Sequence, residues 1–441
     1  MGKAAAAAHP ERRVLQFAGA SRAVVSLVAL LTAQAVTPYD TSTRLEAGSN
    51  SLLSAFANWD GVYYAHIARH GYDYEHVHAF FPLYPLLMRA LSWAFAPLGP
   101  SIATLTSGWI ISNVSFVLAA LWLYRLGRLV LNDELVARRA AYLFCIAPSS
   151  IFMSAVYSES LMCALSFCGM LFLEHHKRSG RFSELLLSAV AFGCASATRS
   201  NGILLSLYIA WHRLSVSPSP VTATRAFLRY WIVTALLGVI AIGPQIAYFV
   251  YGVLVYCPSL FGSYTPLSLL TDDRSWCAKV IPNFSAMYTF IQSEYWNVGL
   301  FKYYELKQIP NFLLAAPILI LSAYSLYRFF QAFWSSSHQR GQVRTSLEAP
   351  YYVHWLFLFV NALLVVHIQV TTRLLSACPS LFWAPAAFML KRVKNDSNSG
   401  GENSTVAELS TMSLKGKLVV GYFLLYCVLG AVLFPSFYPW T

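Results

Sequence analysis

The stretch YWIVTALLGVIAIGPQIAYFVYGVLV, from Tyr230 to Val255, has no charged side chain and is long enough to cross a bilayer core of roughly 30 Å. Similar apolar runs recur along the whole 441-residue chain. The chain is 57% hydrophobic and only 11% charged. Because so few charges cannot cover a soluble globule of this length, apolar surface must face lipid. The sequence therefore predicts an all-α polytopic membrane protein, with residues 1–441 as one integral membrane domain.

We expect roughly nine to twelve transmembrane helices, since one crossing takes about 20 mostly apolar residues. The candidate spans are Val14 to Val36, Thr104 to Leu123, Ala140 to Ala155, Val156 to Leu173, Leu185 to Ala197, Ile203 to Trp211, Tyr230 to Val255, Phe312 to Phe333, Tyr351 to Val370, Leu374 to Leu390 and Leu418 to Phe434. The third to sixth are short for a single crossing, so we expect them to be tilted, re-entrant or merged.

Basic residues indicate the orientation of these spans. The net charge is +12, but Lys and Arg stand in short groups between apolar runs and form no continuous basic face, which argues against nucleic acid as a partner. Every second connection is basic, so the positive-inside rule predicts a cytosolic N-terminus. It also predicts two large lumenal loops, residues 37–103 and 257–311, and a cytosolic polar linker, residues 391–417.

Several local features have two interpretations. Basic residues followed by the apolar stretch from Val24 to Ala33 fit a cleaved signal peptide as well as an uncleaved first span. Cys257 and Cys277 share the second lumenal loop, where an oxidising compartment would allow a disulfide. Glycosylation triplets begin at Asn283, Asn395 and Asn403, and only the first lies in a loop predicted to be lumenal.

The first lumenal loop concentrates acids, aromatics and histidines between Asn58 and Pro85, in NWDGVYYAHIARHGYDYEHVHAFFPLYP. Asp60 stands between a tryptophan and a glycine, which predicts a tight turn at the membrane surface. A carboxylate placed there suits a general base, whereas the simpler alternative is an aspartate that only caps the turn. The proline-interrupted run from Phe80 to Phe95 predicts interfacial helices rather than a full crossing.

Four histidines in this loop raise the question of a metal site. His66 and His70 have the spacing of two ligands on one helix face, but no Cys or Glu completes a usual ligand set at a recognised spacing. We therefore favour interfacial or substrate-binding roles for the histidines, including His76 and His78, and expect no metal.

Two arginines interrupt apolar sequence on the predicted lumenal side. Arg199 lies in Ala197-Thr198-Arg199-Ser200-Asn201-Gly202, and Arg373 follows two threonines. An arginine at that depth usually has a partner or an anionic ligand, although it can also be an interfacial anchor. Glu159 places a carboxylate near the same face.

At these motifs the sequence resembles the PIG-V family of GPI mannosyltransferases, over nearly the whole chain. The resemblance is carried by Trp59-Asp60-Gly61, His70-Gly71-Tyr72, Glu75-His76, Ala79 to Pro85 (AFFPLYP), Pro148 to Phe152 (PSSIF), Tyr157-Ser158-Glu159 and Arg199-Ser200-Asn201-Gly202. It implies a GT-C-type glycosyltransferase, multi-pass in the endoplasmic reticulum membrane, with a lumenal active site. Its reaction would transfer the second mannose, in α-1,6 linkage, from dolichyl-phosphate-mannose to the GPI precursor.

The resemblance also implies roles for the residues above. Inversion at the sugar needs one base for the acceptor hydroxyl and positive charge for the departing lipid phosphate. The expected catalytic base is Asp60, and the expected ligands of the donor phosphate are Arg199 and then Arg373. The expected substrate-binding residues are Trp59, Glu75, His76, His78, Glu159 and Asn201. Many relatives carry an Asp-x-Asp pair, but Asp60 has no acid two residues away, so the partner of Asp60 is open.

No cofactor is expected, because a lipid-phosphate donor needs no nucleotide pocket and the chain has no glycine-rich phosphate loop. The expected partners are the donor and acceptor glycolipids and membrane lipids, with a small membrane subunit as a further candidate. Two other classes compete with the enzyme hypothesis. A transporter would also have many spans and intramembrane arginines, and a non-catalytic subunit of a glycolipid-processing complex would share the topology.

Overall fold

The computed structural model describes residues 2–39, 52–218, 224–257, 274–280, 283, 285–336, 342–389 and 412–440. Throughout these ranges the regular structure is helical, with no strand. The predicted cytosolic linker and its triplets at Asn395 and Asn403 lie mostly or wholly outside the described residues. The assignment of residues 37–103, 257–311 and 391–417 to the two sides of a membrane stays a prediction.

The α-helices are α1 (Gly2–Ala35), α2 (Asp60–His70), α3 (Leu83–Ser92), α4 (Pro100–Leu131), α5 (Glu134–Cys145), α6 (Glu159–Ser179), α7 (Phe182–Ser196), α8 (Ser206–Ser215), α9 (Thr224–Tyr256), α10 (Ala286–Glu294), α11 (Ile309–Ser336), α12 (Gln342–Leu364), α13 (Thr371–Leu374), α14 (Ser380–Phe388) and α15 (Leu414–Leu433). Short 3₁₀ helices lie at Leu52–Phe56, Glu75–Ala79, Trp93–Leu98, Ser200–Leu205, Cys277–Lys279, Leu306–Gln308, Ile368–Val370, Leu375–Ala377 and Phe434–Ser436.

Five of the described helices are long and apolar enough to cross a membrane, which confirms the multi-pass class. They cover the first, second, seventh, eighth and last predicted spans, and their bounds are Pro10–Ala35, Pro100–Leu131, Thr224–Tyr256, Leu306–Ser335 and Leu414–Ser436. The other predicted spans correspond to shorter or interrupted helices. A total of nine to twelve crossings stays a prediction.

Helix α4 lies at the centre of the bundle and packs against α1, α3, α5 and α6. Aromatic rings fill the space between these helices. Phe116 of α4 stacks on Phe144 of α5 at 4.8 Å between ring centres, and Phe144 also meets Phe167 of α6 at 5.8 Å. Helices α7 and α9 pack closely at Gly193. A Cβ atom added there would lie only 2.4 Å from the carbonyl oxygen of Ile240, so the approach depends on glycine.

The buried segment 146–158 corrects the predicted spans from Ala140 to Ala155 and from Val156 to Leu173. Helix α5 ends at Cys145 and α6 begins only at Glu159, so this apolar segment is a series of turns inside the molecule. Hydropathy did not reveal the break because its residues are as apolar as a helix core. Non-helical backbone at membrane depth is tolerated where protein surrounds it and satisfies its polar groups.

Arg22 of α1 donates hydrogen bonds to polar groups of this segment and is itself 4% exposed. Its guanidinium donates to the carbonyl oxygen of Ser150 at 2.7 Å, to that of Cys145 at 3.3 Å and to the hydroxyl of Ser154 at 3.0 Å. The carbon of the guanidinium lies 3.8 Å from the ring centre of Phe116. Arg22 thus joins α1 to the turns that lead into α6.

A disulfide joins Cys257, directly after α9, to Cys277, with their Cα atoms 5.6 Å apart. This confirms the pairing that the sequence left open. Helix α10 follows, and its neighbour Asn283 accepts hydrogen bonds from the Ser285 backbone and side chain at 3.1 and 2.8 Å.

Candidate active site

The turn before α2 holds Asp60 in a fixed place at the first residue of that helix. Trp59 has φ = 56°, a conformation that is unusual for a bulky residue and that tends to persist where the surroundings impose it. The Asp60 backbone N–H donates to the hydroxyl of Tyr157 at 3.0 Å, and that hydroxyl donates to the Asn58 carbonyl oxygen at 3.0 Å. The Asn58 amide in turn donates to the carbonyl oxygens of Phe434 and Pro435 at 3.0 Å each.

Asp60 has an arginine as its partner, which resolves the question left by the missing Asp-x-Asp pair. Arg373 Nη2 donates to Asp60 Oδ2 at 2.6 Å, and Arg373 Nε donates to Glu159 Oε1 at 2.6 Å. Arg199 Nη1 reaches the same Glu159 oxygen at 2.6 Å. The four side chains form an alternating chain of charges in the order Asp60, Arg373, Glu159, Arg199, which we call the ion chain.

The ion chain is most deeply buried at Glu159, whose side chain is 1% exposed, whereas Asp60 and Arg199 at the two ends are 28% and 20% exposed. Two rings enclose the middle. The Arg373 guanidinium carbon lies 4.7 Å from the ring centre of Phe152 and 5.0 Å from that of Tyr157. Charges buried this way are tolerated because each has an opposite neighbour. Glu159 is therefore closed to a substrate, whereas Asp60, Arg199 and Arg373 keep exposed surface.

Both ends of the ion chain open into one cavity of about 460 Å³, within the range of about 300–1,000 Å³ usual for ligand sites. Asp60, Arg199 and Arg373 line it, together with Trp59 and Asn201. Sequence analysis selected all five, and the structure brings them together although they span more than three hundred positions. The uncharged part of the lining comes from Tyr64, Tyr288, Gln292, Trp296, His367, Gln369 and Trp440, among others.

Glu75, His76 and His78 are not part of that cavity lining, although they were expected to bind substrate. Glu75 is 7% exposed, and its oxygens accept from Trp276 Nε1 at 2.6 Å and from the Tyr295 hydroxyl at 2.9 Å. It therefore links the segment that follows α2 to the segments around Trp276 and Tyr295. The assignment of these three residues to substrate stays a prediction.

His78 lies in an aromatic box and is fully buried. Its ring stacks on Tyr72 at 4.5 Å and also meets Tyr248, Tyr251 and Tyr256 at 5.3 to 5.9 Å. Burial lowers the pKa of His78 to about 3, so the imidazole is neutral near pH 7.

His66 Nε2 pairs with exposed Asp73 at 2.8 Å, and the His76 ring lies 5.8 Å from that of Tyr63. Across the described residues, no three His, Cys, Asp or Glu side chains converge in a cluster that could hold a metal.

Several lining residues had no signal in the sequence. Gln292, Trp296, His367 and Gln369 come from loops and helix ends far from the motifs around Asp60, and amides and aromatics are common in such positions. Tyr157, which accepts a hydrogen bond from the Asp60 backbone, could have been selected from the sequence, because it stands in a motif already noted for Glu159.

The chain is similar in sequence to known proteins along most of its length. The model of a family described as mannosyltransferase (PIG-V) matches residues 11–441. The chain is 33% identical over 448 residues to GPI α-1,6-mannosyltransferase 2 of Homo sapiens, covering 88% of each chain. It is 32% identical over 418 residues to GPI mannosyltransferase 2 of Drosophila pseudoobscura pseudoobscura, covering 88% of this chain and 87% of that protein.

The fold is similar to that of a solved structure, the oligosaccharyltransferase of Archaeoglobus fulgidus in its apo form. The TM-score is 0.50 at 13% sequence identity, and the match covers 93% of this chain and 56% of that chain. The likeness concerns the fold alone, and it agrees with the helical membrane fold expected from the sequence.

Proposed function

The chain belongs to the mannosyltransferase (PIG-V) family, and we propose on that basis that it adds the second mannose, in α-1,6 linkage, to a GPI precursor, with dolichyl-phosphate-mannose as donor. The observation that carries the mechanism is the ion chain, with Asp60 at one end and Arg199 at the other, both on one cavity. The membrane would be that of the endoplasmic reticulum, with the cavity on the lumenal side, as the positive-inside rule and the relatives' names support.

Asp60 is the proposed general base. Arg373 engages only Oδ2, and among the described residues Oδ1 has no hydrogen-bond partner, so Oδ1 is the oxygen available to the acceptor hydroxyl. The acceptor oxygen attacks the anomeric carbon of mannose while its proton passes to Asp60. The bond from that carbon to the phosphate oxygen breaks, and its electron pair leaves with dolichyl phosphate. Attack and departure on opposite faces invert the sugar.

Arg199 is the proposed ligand of the donor phosphate. Its Nη1 is held by Glu159, whereas its Nε and Nη2 have no hydrogen-bond partner in the described part of the chain. Departure changes a phosphodiester with one negative charge into a monoester with two, and a guanidinium stabilises that added charge through hydrogen bonds. Arg373 has two nitrogens committed to carboxylates, so it serves mainly to position Asp60 and Glu159. We therefore propose that no metal is needed to bind the phosphate.

A direct assay tests this proposal. Purified protein with labelled dolichyl-phosphate-mannose and a GPI precursor carrying one mannose should yield the two-mannose product. Asp60→Asn keeps the shape of the side chain but removes the base, so we expect kcat to fall about 100- to 10,000-fold. Asp73→Asn is the matched control, since Asp73 lies in the same loop, is exposed and pairs with His66. Absence of transfer by the wild-type protein, or full activity of Asp60→Asn, would overturn the proposal.

A further inference from the structure

Part of the lining of the active-site cavity is polar but uncharged. The charged lining residues all belong to the ion chain, whereas three amide side chains, Asn201, Gln292 and Gln369, lie on the same cavity. His367 lies on the same cavity. We call Asn201, Gln292, His367 and Gln369 the neutral wall.

The neutral wall adjoins the ion chain directly. Gln369 precedes Arg373 by four residues, and both line the cavity from one face of a short helical stretch. Tyr288 and Gln292 share one face of α10, and the Tyr288 hydroxyl donates to Ser200 Oγ at 2.9 Å, next to Arg199. A ligand on the neutral wall is therefore beside the groups that carry the reaction.

The amide of Gln369 is oriented by a chain of hydrogen bonds. Asn311 Nδ2 donates to the Tyr303 hydroxyl at 2.8 Å, and this hydroxyl donates to Gln369 Oε1 at 3.1 Å. Because Oε1 is occupied, the Gln369 Nε2 group has its hydrogens left for the cavity, with no partner among the described residues. Gln292 likewise makes no side-chain hydrogen bond within the described part of the chain, so both of its polar atoms are available.

The chemistry of the neutral wall matches a neutral sugar better than a phosphate. Each sugar hydroxyl both donates and accepts, and an amide offers both functions in fixed directions. A phosphate would leave carbonyl oxygens such as that of Gln292 facing negative charge, whereas Arg199 offers it a cation. Trp296 adds an aromatic surface to the lining, with its ring edge-on to Tyr63 and Phe80.

We propose that Gln292, His367 and Gln369, together with Asn201, form the subsite for the neutral sugar of the glycolipid acceptor, while the Arg199 end takes the donor phosphate. This rests on the proposed function and adds residues that determine acceptor specificity. The subsite presents the acceptor hydroxyl to Asp60.

Steady-state kinetics with separate variation of the two substrates tests the subsite. Gln292→Ala and Gln369→Ala should each raise the KM for the acceptor about 3- to 10-fold, with the KM for dolichyl-phosphate-mannose within about 2-fold of wild type. Arg199→Gln should give the converse pattern. Gln331→Ala is the matched control, because Gln331 is exposed on α11 and outside the cavity lining.

A double-mutant cycle separates contact from mere structural damage. Acceptors lacking one mannose hydroxyl at a time are compared on wild type and on Gln292→Ala, whose side chain makes no hydrogen bond to the described chain. For one deoxy acceptor, the decrease in kcat/KM measured with the wild-type protein should largely disappear with the variant. The subsite would be refuted if the decreases in kcat/KM from Gln292→Ala and from removal of each hydroxyl were simply additive. A rise in the KM for the donor equal to that for the acceptor would refute it as well. Failure of the wild-type protein to transfer mannose at all would instead refute the proposed function.

Discussion

Arg373 makes two contacts that a lysine cannot make at once. Its planar guanidinium directs Nε to Glu159 and Nη2 to Asp60, both at 2.6 Å. A lysine keeps the positive charge but presents a single ammonium on a flexible stem. The geometry of the fork, rather than charge alone, therefore fixes the direction of the Asp60 carboxylate.

We expect Arg373→Lys to lower kcat about 10- to 100-fold while both KM values change little, because Asp60 stays present but loses its orientation. Steady-state kinetics of the purified variant gives this split. Arg328→Lys, an exposed arginine of α11, provides the control and should behave as wild type. A variant that lost donor binding instead would show that Arg373 holds the phosphate itself.

At this scale the sequence selected residues that the structure brings together, but it did not predict their pairing. Arg199 and Arg373 were selected because an arginine is costly in apolar surroundings, and Asp60 was selected for its turn between Trp59 and Gly61. Which acid meets which arginine depends on helices far apart in the chain, so the role of Glu159 between two arginines was not foreseen. Glu75 has the same chemistry as Glu159, but a 3₁₀ turn directs it toward Trp276.

Among the elements, the interrupted segment 146–158 matters most for the site. It delivers Tyr157 to the Asp60 turn and ends at Glu159, the first residue of α6. Its spans were expected to be tilted, re-entrant or merged because they are short, and Pro148 followed by two serines is a local signal of the break. Hydrophobicity reports burial, and both turns and helices can be buried.

Replacing Arg22 with methionine should loosen this segment. The variant leaves the carbonyl oxygens of Cys145 and Ser150 without their charged donor, and such a bond is worth about 1.5–3 kcal/mol. We expect a lower midpoint of thermal unfolding in detergent together with reduced kcat. Arg229→Met, on the exposed surface of α9, is the comparison. Equal midpoints for the two variants would show that the turns do not depend on Arg22.

For the whole molecule, long apolar runs without charge predicted the five long helices well, because length and hydropathy suffice for a span. They could not predict how the two large loops meet. Glu75 in the first loop binds Trp276 in the second, and the adjacent Cys277 is joined to the end of α9. The contact of Glu75 with Trp276 joins residues 201 positions apart, and no local pattern encodes it.

Loss of the disulfide should weaken this junction. Cys257 and Cys277 are 20 positions apart, and closing a loop of that size is worth about 3 kcal/mol in the chain-entropy account. We expect the double variant Cys257→Ala/Cys277→Ala to unfold at lower temperature. A reductant should lower the midpoint of the wild type but not that of the variant. Cys194→Ala, which removes a free thiol, serves as control. A reductant effect of equal size on both proteins would contradict this assignment.

The support of Asn58 by Phe434 and Pro435 has a consequence for biosynthesis. A ribosome makes the Asp60 turn early, Tyr157 and Glu159 next, Arg373 much later, and residues 434–440 after all of these. The hydrogen bonds from Asn58 to Phe434 and Pro435 can therefore form only late in translation. Each molecule should pass through membrane insertion as an inert precursor, so that mannose transfer begins only after the final helix has been delivered to the bilayer.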